Sequence, residues 1–185
     1  MGELLMKQGF RGDYYRMTGK EYRMGIRCMI QILYSHQIRY MYWWRKANKK
    51  PTIFNRYKLY RYSRKYGLEI SHNAQIGEGL YLGHPYNITV GEGVKIGKNS
   101  NLNKGCTIGR ENRGKRKGVP TIGDYVVVGI NAVVVGNITI GDDVIIAPNS
   151  FVNFDVPPHS IVIGNPGIIH GKADATWGYV GYPVN

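Results

Sequence analysis

Residues 121–152, "TIGDYVVVGINAVVVGNITIGDDVIIAPNSFV", place an aliphatic side chain at every sixth position: Ile122, Val128, Val134, Ile140, Ile146 and Val152. Working back along the chain, the same beat takes in Val90, Ile96, Leu102 and Ile108, and before them Ile70, Ile76 and Leu82. All thirteen positions hold Ile, Leu or Val, and the period slips twice, by two residues after Leu82 and by eight after Ile108. No amphipathic helix repeats at six, and a plain hairpin sheet does not keep one register over so long a run. Short strands joined by tight turns do, each sending one aliphatic inward to stack on the coil below, which is a parallel β-helix. Glycine follows the aliphatic at eight of the thirteen positions (Gly77, Gly83, Gly91, Gly97, Gly109, Gly123, Gly129 and Gly141), where a sharply turning backbone is expected. Cys106, four residues after Leu102, falls in the small inward slot of its hexapeptide and reads as packing, not as a nucleophile.

Charge divides the chain where the beat begins. Residues 1–67 hold 16 of the 25 Lys and Arg against three acids, a net +13, whereas residues 68–185 balance nine basic against nine acidic residues. The basic segment reads as mainly helical. Ile26, Ile30, Leu33, Tyr34, Ile38, Met41 and Trp44 fall on one face at helical spacing, and ten of the fifteen tyrosines lie in this segment among the basic residues. Two uses compete for it: a helical cap packed on the β-helix, or an amphipathic surface meeting anionic lipid. Nucleic acid is not the expected partner. The most apolar stretch, residues 24–44, is broken by Arg27, His36 and Arg39 and is too polar to span a bilayer. No secretory leader is expected, and two cysteines make no disulfide framework, so a reducing cytoplasm is the expected compartment, at the inner face of the membrane if the basic segment docks there.

The repeats in "GLEISHNAQIGEGLYLGH", "CTIG" and "GNITIGDDVIIAPNSFV", with the ending "DVPPHS…IGNPG", resemble the hexapeptide-repeat acyltransferases, in particular the serine O-acetyltransferase-like branch. The resemblance implies a mainly β fold: a left-handed, triangular parallel β-helix over residues 68–156 with a projecting loop at 110–120. An N-terminal helical segment over 1–67 and a short C-terminal tail over 157–185 complete the expected chain. It also implies a homotrimer, acetyl-CoA as co-substrate and a catalytic histidine at His84, which directly follows Gly83 and points outward beside the two-residue slip. Imidazole suits that role, since a free imidazole titrates near about 6.5 and takes a hydroxyl proton at neutral pH. Glu69, fifteen residues earlier, matches the family's orienting carboxylate and is expected to stack beside His84 on an adjacent turn.

For the donor, the resemblance implies a pantetheine groove along Gly109, Gly129, Ile130, Ala147 and Pro148. The loop "RENRGKRKG" (110–118) adds Arg110 and Lys115, among five cations, for the coenzyme's phosphates. No metal is expected: a β-helical zinc enzyme needs three histidines, and the coils offer His72 and His84, with His159 and His170 beyond them. Serine-specific members carry Asp-His where this chain has Gly83-His84, and Arg-His-Pro where it has Gly118-Val119-Pro120. Loss of those charges points to an uncharged acceptor. The expectation is therefore O-acetyl transfer to a sugar or polysaccharide-precursor hydroxyl, with serine O-acetyltransferase and a non-catalytic trimeric scaffold as the alternatives.

Overall fold

The computed structural model describes residues 2–185, with side chains from residue 9 onward; Met1 and the side chains of Glu3 and Lys7, which enter the charge balance, lie outside the described residues. Four helices, α1 (Gly2–Thr18), α2 (Ile26–Tyr34), α3 (His36–Lys49) and α4 (Ile53–Tyr66), precede a left-handed parallel β-helix of about five turns. Its strands stack into three faces. Face A carries β1 (Glu69–Ile70), β4 (Thr89–Val90), β7 (Thr107–Gly109), β10 (Val133–Val135) and β13 (Phe151–Val152). Face B carries β2 (Gln75–Ile76), β5 (Lys95–Ile96), β8 (Thr121–Ile122) and β11 (Thr139–Ile140). Face C carries β3 (Tyr81–Gly83), β6 (Asn101–Asn103), β9 (Val127–Val128), β12 (Val144–Ile146) and β14 (Ser160–Ile163), with β15 (Ile168–Gly171) antiparallel at its edge. Face C therefore runs one strand past Val156, where the coil was expected to end.

Twelve of the thirteen repeat aliphatics are buried, and Ile76 packs against them from a half-buried position. A second inward column two residues earlier, including Leu68, Leu80, Ile88, Val94, Cys106, Val126 and Val144, completes the core. Burial pushes the Cys106 thiol up to about 12, which keeps it an unreactive packing group.

The glycines after the repeat aliphatics do a different job from the one expected. None of the eight has a positive φ; at the corner from face C to face A the left-handed position is held by Gly67, Asn87, Gly105, Asn131 and Asn149. What the repeat glycines supply is closeness between coils. A Cβ on Gly97 would lie 2.6 Å from the Gly123 carbonyl carbon, and one on Gly141 would lie 2.5 Å from the Pro158 nitrogen. Backbone stacked on backbone leaves no room for a side chain.

An end coil of a solenoid exposes its core unless something covers it. Here α3 does so, burying Ile38, Tyr40, Met41, Trp44 and Ala47. The Tyr40 hydroxyl donates to Leu68 O at 3.3 Å and accepts from Ile70 N at 3.2 Å, and Trp44 Nε1 donates to Ser71 O at 3.1 Å. A buried ion pair fixes the first helix to the same end: Arg45 Nε meets Asp13 Oδ2 at 2.7 Å, and Asp13 also accepts from Leu80 N at 2.9 Å. The helical stripe expected from Ile26 to Trp44 is broken at Ser35, whose hydroxyl caps α3 by accepting from Ile38 N. The break splits the single apolar face: Ile38, Met41 and Trp44 turn inward, whereas Ile26, Ile30, Leu33 and Tyr34 are exposed.

Candidate active site

His84 leaves β3 at the corner between faces C and A. Its φ is 48°, in the left-handed region where Asn, Asp and His are enriched among residues other than glycine, and Asn87 repeats this at 56°. The two-residue slip is thus a tight corner, closed by Tyr86 N donating to His84 O at 2.7 Å and by buried Pro85. Aromatic packing from the helices holds it: the His36 ring lies 5.1 Å from Tyr86 and 4.9 Å from Tyr66. Burial, with Arg39 adding to it, lowers the pKa of His36. The His84 side chain itself is exposed, so the ring is free to meet a ligand. His84 thus presents an exposed imidazole from a left-handed backbone position at an irregular corner of the coil.

Above His84 the same corner repeats at one coil spacing of about 4.8 Å. Gly83 is in register with Asn103, Leu102 with Val128, and Val128 with Ile146. Gly129, Ile130, Ala147 and Pro148 therefore rise in one ridge over His84, with Ile130 and Pro148 exposed along it. A Cβ on Gly129 would meet the Pro148 nitrogen at 2.6 Å, so the ridge is as tightly built as face B. Lys104 joins this ridge and was not foreseen: its amide donates to Gly83 O at 2.9 Å, and its side chain is exposed one coil above His84. The signal for it was the register itself, twenty residues from His84 because one coil carries the slip.

One group expected to join the site lies apart from this ridge within one chain. Gly109 and the loop after it sit at the opposite edge of face A. That loop closes through paired backbone bonds of 3.0 Å between Glu111 and Gly118, through Arg116 Nε to Glu111 Oε2 at 3.4 Å, and through Asn137 N to Arg116 O at 2.8 Å. It leaves Arg110, Arg113, Lys115, Arg116 and Lys117 exposed, so the cations are available, but across the width of a strand from His84. Glu69 is in register with Thr89, on the strand that follows the His84 corner, and no hydrogen bond joins the carboxylate to the imidazole. Glu69 instead lines a groove of about 1150 Å³ between α4 and face A, with Tyr57, Tyr60, Arg64, His72 and Glu92. Among the described residues no group of three His, Cys, Asp or Glu side chains is placed to hold a metal ion.

Coils of this repeat, stacked in three faces with an exposed histidine on a tight corner, define a hexapeptide-repeat β-helix. A family model described as "Bacterial transferase hexapeptide (six repeats)" matches residues 120–153. The chain is 42% identical over 103 residues to a serine acetyltransferase of Staphylococcus xylosus, covering 56% of this chain and 48% of that protein. It is 40% identical over 99 residues to a serine acetyltransferase of Helicobacter pylori, covering 54% of this chain and 58% of that protein. Among solved structures, Neisseria gonorrhoeae serine acetyltransferase in complex with serine superposes with a TM-score of 0.72 at 27% identity, covering 92% of this chain and 69% of that one. The chain thus spans about half the length of the curated relatives it matches. Repeat, fold and relatives together fit a hexapeptide-repeat acyltransferase of the serine O-acetyltransferase branch.

Proposed function

We propose that the protein is an acetyl-CoA-dependent O-acetyltransferase in which His84 is the general base. The observation that carries this reading is the exposed His84 at a tight corner, at the foot of a ridge of close-packed coils, in a chain similar to serine acetyltransferases over its repeats. The acceptor hydroxyl gives its proton to the imidazole as its oxygen attacks the thioester carbonyl. The tetrahedral oxyanion collapses, the C–S bond breaks, and the imidazolium returns the proton to the departing thiolate. Thioester and hydroxyl are thereby exchanged for ester and thiol with no other reactant.

The ridge of Ile130 and Pro148 gives the pantetheine arm an apolar edge running toward His84, and Lys104 stands on it as a cation for a phosphate or carboxylate of either substrate. Glu69 makes no hydrogen bond to His84 in the free chain; its orienting role belongs to the complex, since catalytic hydrogen bonds often close only when substrate is bound. Glu69→Gln then lowers kcat more than it raises KM. A homotrimer brings a neighbouring copy's edges to each chain, the arrangement that would unite the loop cations with the His84 ridge lying apart in one chain. Five exposed cations in that loop suit the coenzyme's phosphates.

The relatives' names favour L-serine as acceptor, and that reading now stands ahead of the sugar hydroxyl expected from the sequence. One observation keeps the second reading in view. The Asp of serine-specific members is replaced by Gly83, with the Asn103 side chain filling the space a Cβ there would take, so the carboxylate that would face a serine ammonium is missing from this corner. Thiol release from acetyl-CoA with L-serine, set beside nucleotide sugars and glycans, separates them. Release with serine alone establishes the first acceptor, release with a sugar establishes the second, and release with neither overturns both.

A further inference from the structure

Helix α2 is inside out. Ile26, Met29, Ile30, Leu33 and Tyr34 recur at the spacing of one helical stripe, and all are between 47% and 84% exposed. Met24, just before the helix, is exposed as well. The inward side of the helix carries Cys28, which is buried, and polar Gln31, whose amide oxygen accepts from the Tyr14 hydroxyl. The outward direction is fixed at the other end too. Arg39 Nε donates to Ile32 O at 3.0 Å, and the same guanidinium donates to Leu33 O, holding the last turn of α2 against α3. Rotation that would bury the stripe would break these bonds and bury Arg27.

A contiguous apolar stripe left in water by a pinned helix implies an apolar phase that covers it. The charge around it selects that phase. Lys20, Arg23 and Arg27 are exposed on and just before the helix, and the segment to which they belong carries +13. A second copy laid on this face would bring two such segments together against their mutual repulsion, whereas an anionic surface attracts them. We infer that α2 is an interfacial anchor: its stripe enters the headgroup boundary of an anionic bilayer while the basic segment supplies the long-range attraction. It lies on the membrane and does not cross it; no described helix is long and apolar enough to span. This inference is independent of the acetyl-transfer reading, which its test does not touch.

The full chain is sedimented with vesicles of phosphatidylcholine alone and of phosphatidylcholine with one-third phosphatidylglycerol, beside the variant Ile30→Asp/Leu33→Asp. Both substituted side chains face water, so the variant keeps the wild-type circular dichroism and urea midpoint. The expected result is wild-type binding to the anionic vesicles, weakened by high salt, with the variant weaker by about tenfold or more. Absence of binding to anionic vesicles, or equal binding by the variant, overturns the anchor. So does a variant that lowers the oligomeric state in sedimentation velocity while leaving vesicle binding unchanged, which assigns the stripe to a second copy.

Discussion

The β-helix and the helical segment read differently from the same kind of pattern. In the coils a period of six fixes both which residues face inward and which coil neighbours they meet, because each strand has a single partner above and below. In the helices a period of 3.6 fixes a stripe but not what it faces. Residues 26–44 carry one continuous stripe in sequence; a break at Ser35 turns its second half into the plug of the solenoid and its first half out to solvent. Regular backbone pairing makes sequence a direct address, and helix packing does not.

The comparison is tested first by attacking what joins the two regions. Asp13 and Arg45 form a buried pair that also ties α1 and α3 to the first coil, with Arg45 donating to Ile76 O at 2.7 Å and Gly77 O at 2.6 Å. Asp13→Ala leaves the guanidinium buried without its partner and is expected to cost about 3–5 kcal/mol in urea unfolding. Adding Arg45→Met removes the stranded charge and recovers a large part of the loss. A single variant as stable as wild type would show that the helices and the coil are not energetically joined here.

The second test concerns the coil's own rule. Gly141→Ala forces a Cβ against Pro158 backbone and is expected to lose about 1–3 kcal/mol, whereas Gly25→Ala, where no atom lies within 4 Å, is expected to be nearly neutral. Equal urea midpoints for the two would end the claim that close stacking is the reason for glycine in the repeats.

A smaller effect is expected at the corner between faces B and C, where Asp143 holds the C-terminal tail. Its partial burial raises the carboxyl's pKa, but the Thr176 hydroxyl and amide, His159 at 2.8 Å and the Ala175 amide outweigh that and bring it down to about 2. A depressed carboxyl pKa contributes stability that is complete above the ordinary value of 3.8 and lost as pH falls toward about 2. Asp143→Asn is therefore expected to lower stability at neutral pH and to flatten the acid limb of the stability curve in that window. An unaltered acid limb would show that the tail is held by its other bonds, such as Val184 N to Asn99 Oδ1 at 2.8 Å.

What the sequence made legible follows the same division. Ile122, Val134 and Ile146 announced their burial because the period left them no other place, and Cys106 announced its slot for the same reason. The corner of His84 was legible as an irregularity in that period. Lys104 was not, since its place on the ridge depends on counting the slip into the register. The repeat glycines were found but misread: their positions show in the sequence, whereas the identity of the backbone stacked against them shows only in the fold. Glu69 is legible only by resemblance, because an exposed carboxylate at the start of a strand carries no periodic signal of its own. The stripe of α2 is legible in the sequence, with anionic lipid as one of its two uses, but its outward direction is not, because that is set by Gln31, Tyr14 and Arg39 across three elements.

The measurement that tests the central claim most directly is thiol release from acetyl-CoA by wild type and His84→Ala, with the acceptor that supports turnover and with folding checked by the urea midpoint. A positioned base contributes about 10²–10⁴ in rate, so the variant is predicted to lose that much in kcat with its stability intact. Turnover by His84→Ala equal to wild type would contradict the assignment of this corner as the catalytic site.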